Sequence, residues 1–232
     1  MLTFDDITLA QGDFRLTADF EVSPGITAVI GPSGGGKSTL LGAIAGFLTP
    51  RAGHILWDNR DLGGLAPGAR PVTMLFQDNN LFPHLTVAQN VGLALAPRLR
   101  LTVPQQVQVA NALTQVGLTG MGDRKPGALS GGQQSRAALA RVLLADRPVV
   151  LLDEAFAALG PALRSDMLEL MQSRLAGQGR TVIMVTHDPA DARAVAERVM
   201  LVANDTAHPP VDTQTLFAAP PPALQEYLGS VR

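Results

Sequence analysis

Eight residues constrain this chain more than any others: Gly31-Pro32-Ser33-Gly34-Gly35-Gly36-Lys37-Ser38. They fit the phosphate-binding loop pattern G-x-x-x-x-G-K-[ST]. They also stand where that pattern has mechanical meaning, after an expected strand at Ile26 to Ile30 and before an expected helix from Lys37 to about Gly46. Glycines let the backbone turn so that its N–H groups converge on a polyphosphate, and the helix N-terminus adds partial positive charge. Lys37 would reach the β- and γ-phosphates, Ser38 would offer its hydroxyl to Mg²⁺, and Thr39 completes the cradle. The bland alternative, a glycine-rich turn with a chance lysine, leaves the full pattern unexplained in a chain that holds only two lysines, Lys37 and Lys125.

Further strands are expected at His54 to Trp57, Val72 to Phe76, Val149 to Asp153, Thr181 to Thr186 and Val199 to Val202, alternating with helical patterns. That alternation is the mark of an α/β fold, and 232 residues suit one domain or two closely joined ones. Between about Asp78 and Arg147 the strand signal vanishes, and helices are expected at Val87 to Ala96, Pro104 to Val116 and Gln134 to Ala145. We read residues 78–147 as a helical subdomain inserted into a core made of 1–77 and 148–205. The tail, 206–232, with five prolines, is expected to be a loosely packed appendage.

Charge and composition narrow the function classes. The whole chain carries 18 Lys+Arg against 20 Asp+Glu, net −2, which offers no polybasic footprint for nucleic acid. Residues 78–147 alone hold seven basic against three acidic residues, either a solvated face or a surface for an anion or a partner. Zero cysteines exclude a disulfide scaffold, a thiolate metal site and a cysteine nucleophile. Asp5 and Asp6 stand where a secretory signal would carry its basic end, so no export signal is expected, and no apolar run reaches the length of a membrane span.

Asp153 closes the apolar run Val149-Val150-Leu151-Leu152 and is followed by Glu154. The pair suits a metal-linked carboxylate beside a base for attacking water, although acidic residues also end strands for structural reasons. The decisive segment is Leu129-Ser130-Gly131-Gly132-Gln133, shortly before that strand. Ser130 reads as a helix N-cap, and the same cap can bind a phosphate. Here the chain resembles the ATP-binding cassette (ABC) ATPases, whose signature motif this segment matches. Gln77 then resembles the family's Q-loop glutamine, which senses metal and γ-phosphate, and His187 the switch histidine that contacts the γ-phosphate.

The resemblance implies a P-loop NTPase (RecA-like) core with an ABC-type antiparallel β subdomain and the inserted helical subdomain. It also implies two chains paired head to tail, each ATP lying between the phosphate loop of one copy and Ser130, Gly131, Gly132 and Gln133 of the other. Metal ligation falls to Ser38, Gln77 and Asp153, and water activation to Glu154. Ile44 to Pro50 and Pro71 to Asn90 are closely similar to one branch of the family, the ATP-binding subunits of bacterial thiamine importers, over residues 1 to about 203. That branch implies a peripheral ATPase at the cytoplasmic face of the inner membrane, a permease docked near Phe82, Pro83, His84 and Leu85, and a periplasmic solute-binding protein beyond it. Import of another small solute, or a catalytically weakened regulatory subunit, are the alternatives. The first follows because such an ATPase never needs to touch the solute, and the second is motivated by Gly160 in place of an aspartate. The other departures from the family pattern are Ala157 in place of a serine, Gln11 where an adenine-stacking aromatic is usual, with Phe14 as a substitute, Gln134-Ser135-Arg136 after the signature, and a last hairpin expected to be replaced by Asn204 to Pro210.

Overall fold

Val149, Val150, Leu151 and Leu152 are all fully buried, as four consecutive aliphatic residues must be in a strand covered on both faces. The computed structural model describes residues 1–175 and 179–230, so the last two residues of the expected tail lie outside the described residues. In chain order the strands and helices are β1 (Leu2–Gln11), β2 (Phe14–Val22), β3 (Gly25–Ile30), α1 (Lys37–Ala45), β4 (Ala52–Trp57), β5 (Arg60–Asp61), β6 (Val72–Leu75), α2 (Val87–Gly92), α3 (Val103–Gln115), α4 (Gly131–Ala145), β7 (Val149–Asp153), α5 (Pro161–Leu175), β8 (Thr181–Val185), α6 (Pro189–Val195), β9 (Arg198–Ala203), β10 (Thr206–Ala207), β11 (Val211–Asp212), α7 (Thr213–Ala218) and α8 (Pro222–Ser230). Among the described residues no helix is long and apolar enough to cross a membrane.

The chain divides into two compact units, one of Met1–Val72, Pro148–Glu154 and Ala176–Arg232, the other of Thr73–Arg147 and Ala155–Leu175. In the first, the strands run in the order β5-β4-β1-β2-β10-β9-β3-β8-β7, with β11 beside β9. β1 is antiparallel to β2 and β4, while β3 is parallel to β8 and β9, and β7 to β8. Register matters here, because Val29 and Asp153 both face Val185 across the ladder. The chain therefore leaves β3, β7 and β8 at one level, and the residues just beyond those strands share one end of the sheet, where open α/β sheets hold ligands. α1 ends at Gly46, and its last carbonyls do not go unpaired: the buried Arg70 guanidinium donates to Ala43 O at 2.7 Å and Ile44 O at 2.9 Å.

The second unit is built on α2, α3 and α4, whose inner faces supply Val87, Val91, Val109, Leu113, Ala137 and Ala140 to one buried cluster. Each of these helices opens with the same device, a Ser or Thr followed three residues on by Gln: Thr86/Gln89, Thr102/Gln105 and Ser130/Gln133 are all reciprocal capping boxes.

Several expectations need correction. α4 begins at Gly131 rather than Gln134, because the Ser130 cap lets the glycines themselves form its first turn. Ala155–Leu175, left with the core in the sequence reading, belongs to the helical unit, since α5 packs on α4 through Leu163 against Gly132. The last hairpin is not replaced. β9 and β10 pair antiparallel across a two-residue turn in which Asn204 (φ 51°) and Asp205 (φ 56°) are both left-handed, the tight turn that Asn and Asp favour. Nor is the tail loose: β10 joins the sheet, and Leu216, Leu224 and Tyr227 of α7 and α8 are buried.

Candidate functional site

At the aligned ends of β3, β7 and β8 the first unit gathers Gly31 to Thr39, Asp153, Glu154 and His187. The loop after β3 closes on itself through Gly35 N donating to Pro32 O at 3.1 Å. It enters α1 at Gly36, whose φ of 100° belongs to the left-handed region and which caps the helix with no side-chain hydrogen bond. The first-turn amides are thus left to an outside acceptor. A side chain at Gly36 would also meet the Phe14 ring, since an added Cβ lies 2.4 Å from Phe14 Cζ. Phe14 is the cross-strand partner of Gln11 at the β1–β2 turn, so the ring offered as a substitute for the missing aromatic does stand beside the loop.

Lys37 is buried, its ammonium donating to Gly31 O and Pro32 O at 2.8 Å each. Burial lowers its proton affinity below the ordinary lysine range, opposed by the charges of Glu154 and Asp153. Ser38 Oγ donates to Asp153 Oδ1 at 2.9 Å. Asp153 is pushed above the usual carboxylate range, first by burial, with the Glu154 charge adding to the rise and the Ser38 hydrogen bond and Lys37 charge opposing it. A neighbouring cation would reverse that penalty. Ser38 and Asp153 thus form a pair of hard oxygen donors fit for Mg²⁺, which takes a few protein oxygens and fills the rest of its shell with phosphate and water. Among the described residues no cluster of three or more His, Asp or Glu forms a cage of its own.

Glu154 turns sharply out of β7 with φ 47°, its N–H donating to Val185 O at 3.2 Å. A non-glycine residue held there is costly by about 1–2 kcal/mol, and the turn aims its carboxylate across the strand ends. His187 Nδ1 lies 3.4 Å from Glu154 Oε2. A cleft of about 480 Å³ beside them is lined by Gly31, Pro32, Ser33, His187, Asn204 and Tyr227, among others. Asn204 and Tyr227 are not among the residues expected here from sequence. The left-handed turn at Asn204 was readable in principle, but nothing local to Tyr227 marks it.

Gln77 and Ser130 to Gln133 belong to the second unit. Gln77 is exposed in the turn after β6. In that same segment Arg141 of α4 donates to Asn80 O at 2.7 Å and Asn79 O at 2.9 Å, and both asparagines are left-handed. Asn90 holds the next stretch, accepting from Phe82 N at 2.7 Å and donating to Phe82 O at 3.0 Å, and Phe82, an exposed residue, sets its ring edge-on to His84. At the start of α4, Ser130 Oγ accepts from Gln133 N at 3.3 Å and Gln133 Oε1 from Ser130 N at 3.0 Å. Gly131 faces open space, whereas a Cβ on Gly132 would lie 2.3 Å from Leu163 Cδ2.

The family described as ABC transporter matches residues 17–157. The thiamine import ATP-binding protein ThiQ of Cereibacter sphaeroides is 60% identical over 230 residues, 99% of this chain and 100% of that protein. The protein of the same name from Ruegeria sp. is 52% identical over 231 residues, again 99% of this chain and 100% of that protein. The likeness therefore runs past residue 203, where the sequence reading ended it. Among solved structures, the dimeric structure of a post-hydrolysis state of the ATP-binding cassette MJ0796 bound to ADP and Pi has a TM-score of 0.78 at 27% identity, covering 92% of this chain and 99% of that one. A family match over more than half of the residues and a near full-length likeness at 60% identity lead to one conclusion: the chain belongs to the ABC transporter family and is an ATP-binding cassette ATPase.

Proposed function

We propose that this chain energises the import of thiamine by hydrolysing ATP as a head-to-tail homodimer docked on a permease at the cytoplasmic face of the inner membrane, where a periplasmic binding protein delivers the solute. The observation that carries the catalytic half is the register that sets Lys37, Ser38, Asp153, Glu154 and His187 at one end of the parallel strands. The solute rests on relatives at 47–60% identity that carry the thiamine import name. The homodimer draws on the dimeric cassette MJ0796.

The roles follow from chemistry. The loop amides, the N-terminus of α1 and the Lys37 ammonium bind the β- and γ-phosphates, a rigid set of donors that needs no rearrangement as charge shifts in the transition state. Phe14 stacks on adenine in place of the absent aromatic at Gln11. Ser38 and Asp153 would hold Mg²⁺, which would supply neutralisation of phosphate charge. Glu154 takes the proton of the water that attacks the γ-phosphorus as the bond to the β-phosphate oxygen breaks and ADP leaves, and His187 hydrogen-bonds the γ-phosphate. Ser130 and the α4 N-terminus complete the site of the partner copy with further phosphate donors. Phe82, Pro83, His84 and Leu85, braced by Asn90, meet the permease.

Glu154→Gln tests this reading, since it removes the base but keeps the shape. Expected is a fall in turnover of at least ~100-fold with ATP affinity retained and an ATP-dependent dimer visible by light scattering. Normal hydrolysis by this variant would remove Glu154 from the mechanism. The second reading, a non-hydrolysing regulatory subunit, is favoured by Ala157 and Gly160 in place of serine and aspartate, and absence of phosphate release by the wild type would select it.

A further inference from the structure

The imidazole of His187 is 52% exposed and its contact to Glu154 is long, at 3.4 Å, so its direction depends on the backbone beneath it. That backbone is pinned on one side. Thr186 N donates to Val29 O at 3.2 Å, Thr186 Oγ1 donates to Asp191 Oδ2 at 2.7 Å and accepts from Asp188 N at 3.1 Å. The carbonyl of His187 itself is held from elsewhere, by Tyr227 OH donating at 2.7 Å. Tyr227 lies on α8, forty residues further along the chain.

Tyr227 is not a surface phenol in chance contact. The residue is 9% exposed, and Leu224, one turn earlier on the same face, is fully buried. The helix is entered through Pro220-Pro221-Pro222, with Leu224 N and Gln225 N both donating to Pro221 O at 2.9 Å and Gln225 Nε2 to Pro220 O at 2.7 Å. The donor therefore sits on an anchored element. Ala223, Glu226 and Tyr227 also line the cleft that Gly31, Pro32, Ser33 and His187 line from the other side.

We infer that Tyr227 is a positioning residue for His187: its hydroxyl, carried by the C-terminal helix, fixes the His187 carbonyl and thereby the direction of the imidazole toward Glu154 and the terminal phosphate. The C-terminal segment is then part of the hydrolytic apparatus. This inference rests on the reading of His187 given above.

Tyr227→Phe in the full chain tests it, because the ring and its packing remain while the donor goes. Expected is a fall in kcat of about tenfold, the worth of one buried hydrogen bond, with KM for ATP changed by less than about twofold. The ring ¹H–¹³C resonance of His187, assigned from the spectrum of His187→Ala, should shift while those of His54, His84 and His208 stay in place. An unmoved His187 resonance overturns the inference, as does a rise in KM with kcat retained. If the wild type proves to hydrolyse no ATP, the proposed function fails, and the resonance shift still decides whether Tyr227 positions His187.

Discussion

At the scale of one residue, Asp153 is a carboxylate penalised by its own burial. Its folded-state pKa is raised, chiefly by burial, so the folded protein holds the proton more tightly than the unfolded chain does. The stability contributed by this group therefore rises as pH falls through the folded value and is lowest once the carboxylate is charged. Asp153→Asn removes that charge and keeps an acceptor for the Ser38 hydroxyl. Without nucleotide the variant should melt above the wild type at pH 7.5, and the gap should narrow toward pH 4. With Mg²⁺ and ATP present the order should reverse, since only the carboxylate gains from the cation. A variant that melts below the wild type in both conditions would show that the carboxylate is not penalised by its burial. Residue by residue, much of this site was legible: Gly31 to Ser38 declare themselves by spacing, and Asp153 by closing an apolar run. The left-handed turn at Glu154 was not, because an acidic residue in that conformation is dictated by the strands around it and not by its own preference.

Within α4 and its neighbours, two adjacent glycines separate by environment. Gly131 opens onto free space while Gly132 is buried against Leu163 of α5. Gly131→Ala should fold with a stability within about 0.5 kcal/mol of the wild type and, on the proposed function, lose ATP-dependent dimerisation and turnover. Gly132→Ala should cost about 1–3 kcal/mol in denaturant unfolding, the usual penalty of overpacking. Leu163→Ala in that background should recover part of the loss, because it clears the colliding methyl groups. Equal destabilisation by both glycine variants would remove the distinction. The signature spacing marks these glycines together, whereas their difference lies in which of them α5 covers. Similarly, Ser130/Gln133 was readable as a cap, but the early start of α4 required the cap to be seen in place. The Asn204-Asp205 hairpin was a local signal overlooked, since two residues tolerant of left-handed backbone between β9 and β10 are sufficient to announce it.

For the whole molecule the decisive measurement is transport. Expressed in cells that lack their own thiamine-importer ATPase, the chain should restore uptake of labelled thiamine, and Lys37→Ala should not. Failure of the wild type, with the protein present and bound to the permease, would redirect the search to another small solute. The sequence by itself determined the family and the class of fold: the glycine-rich loop before a helix, the apolar run ending in two carboxylates and the Ser-Gly-Gly-Gln segment are local patterns in which residue type and spacing carry the physics. Only the tertiary structure decided how the C-terminal segment is used and which unit α5 joins. It also placed Phe14 against Gly36 and Tyr227 against the carbonyl of His187. Those outcomes depend on contacts between residues far apart in the chain, where a tyrosine or a phenylalanine looks like any other apolar ring until packing and strand register bring it to its partner.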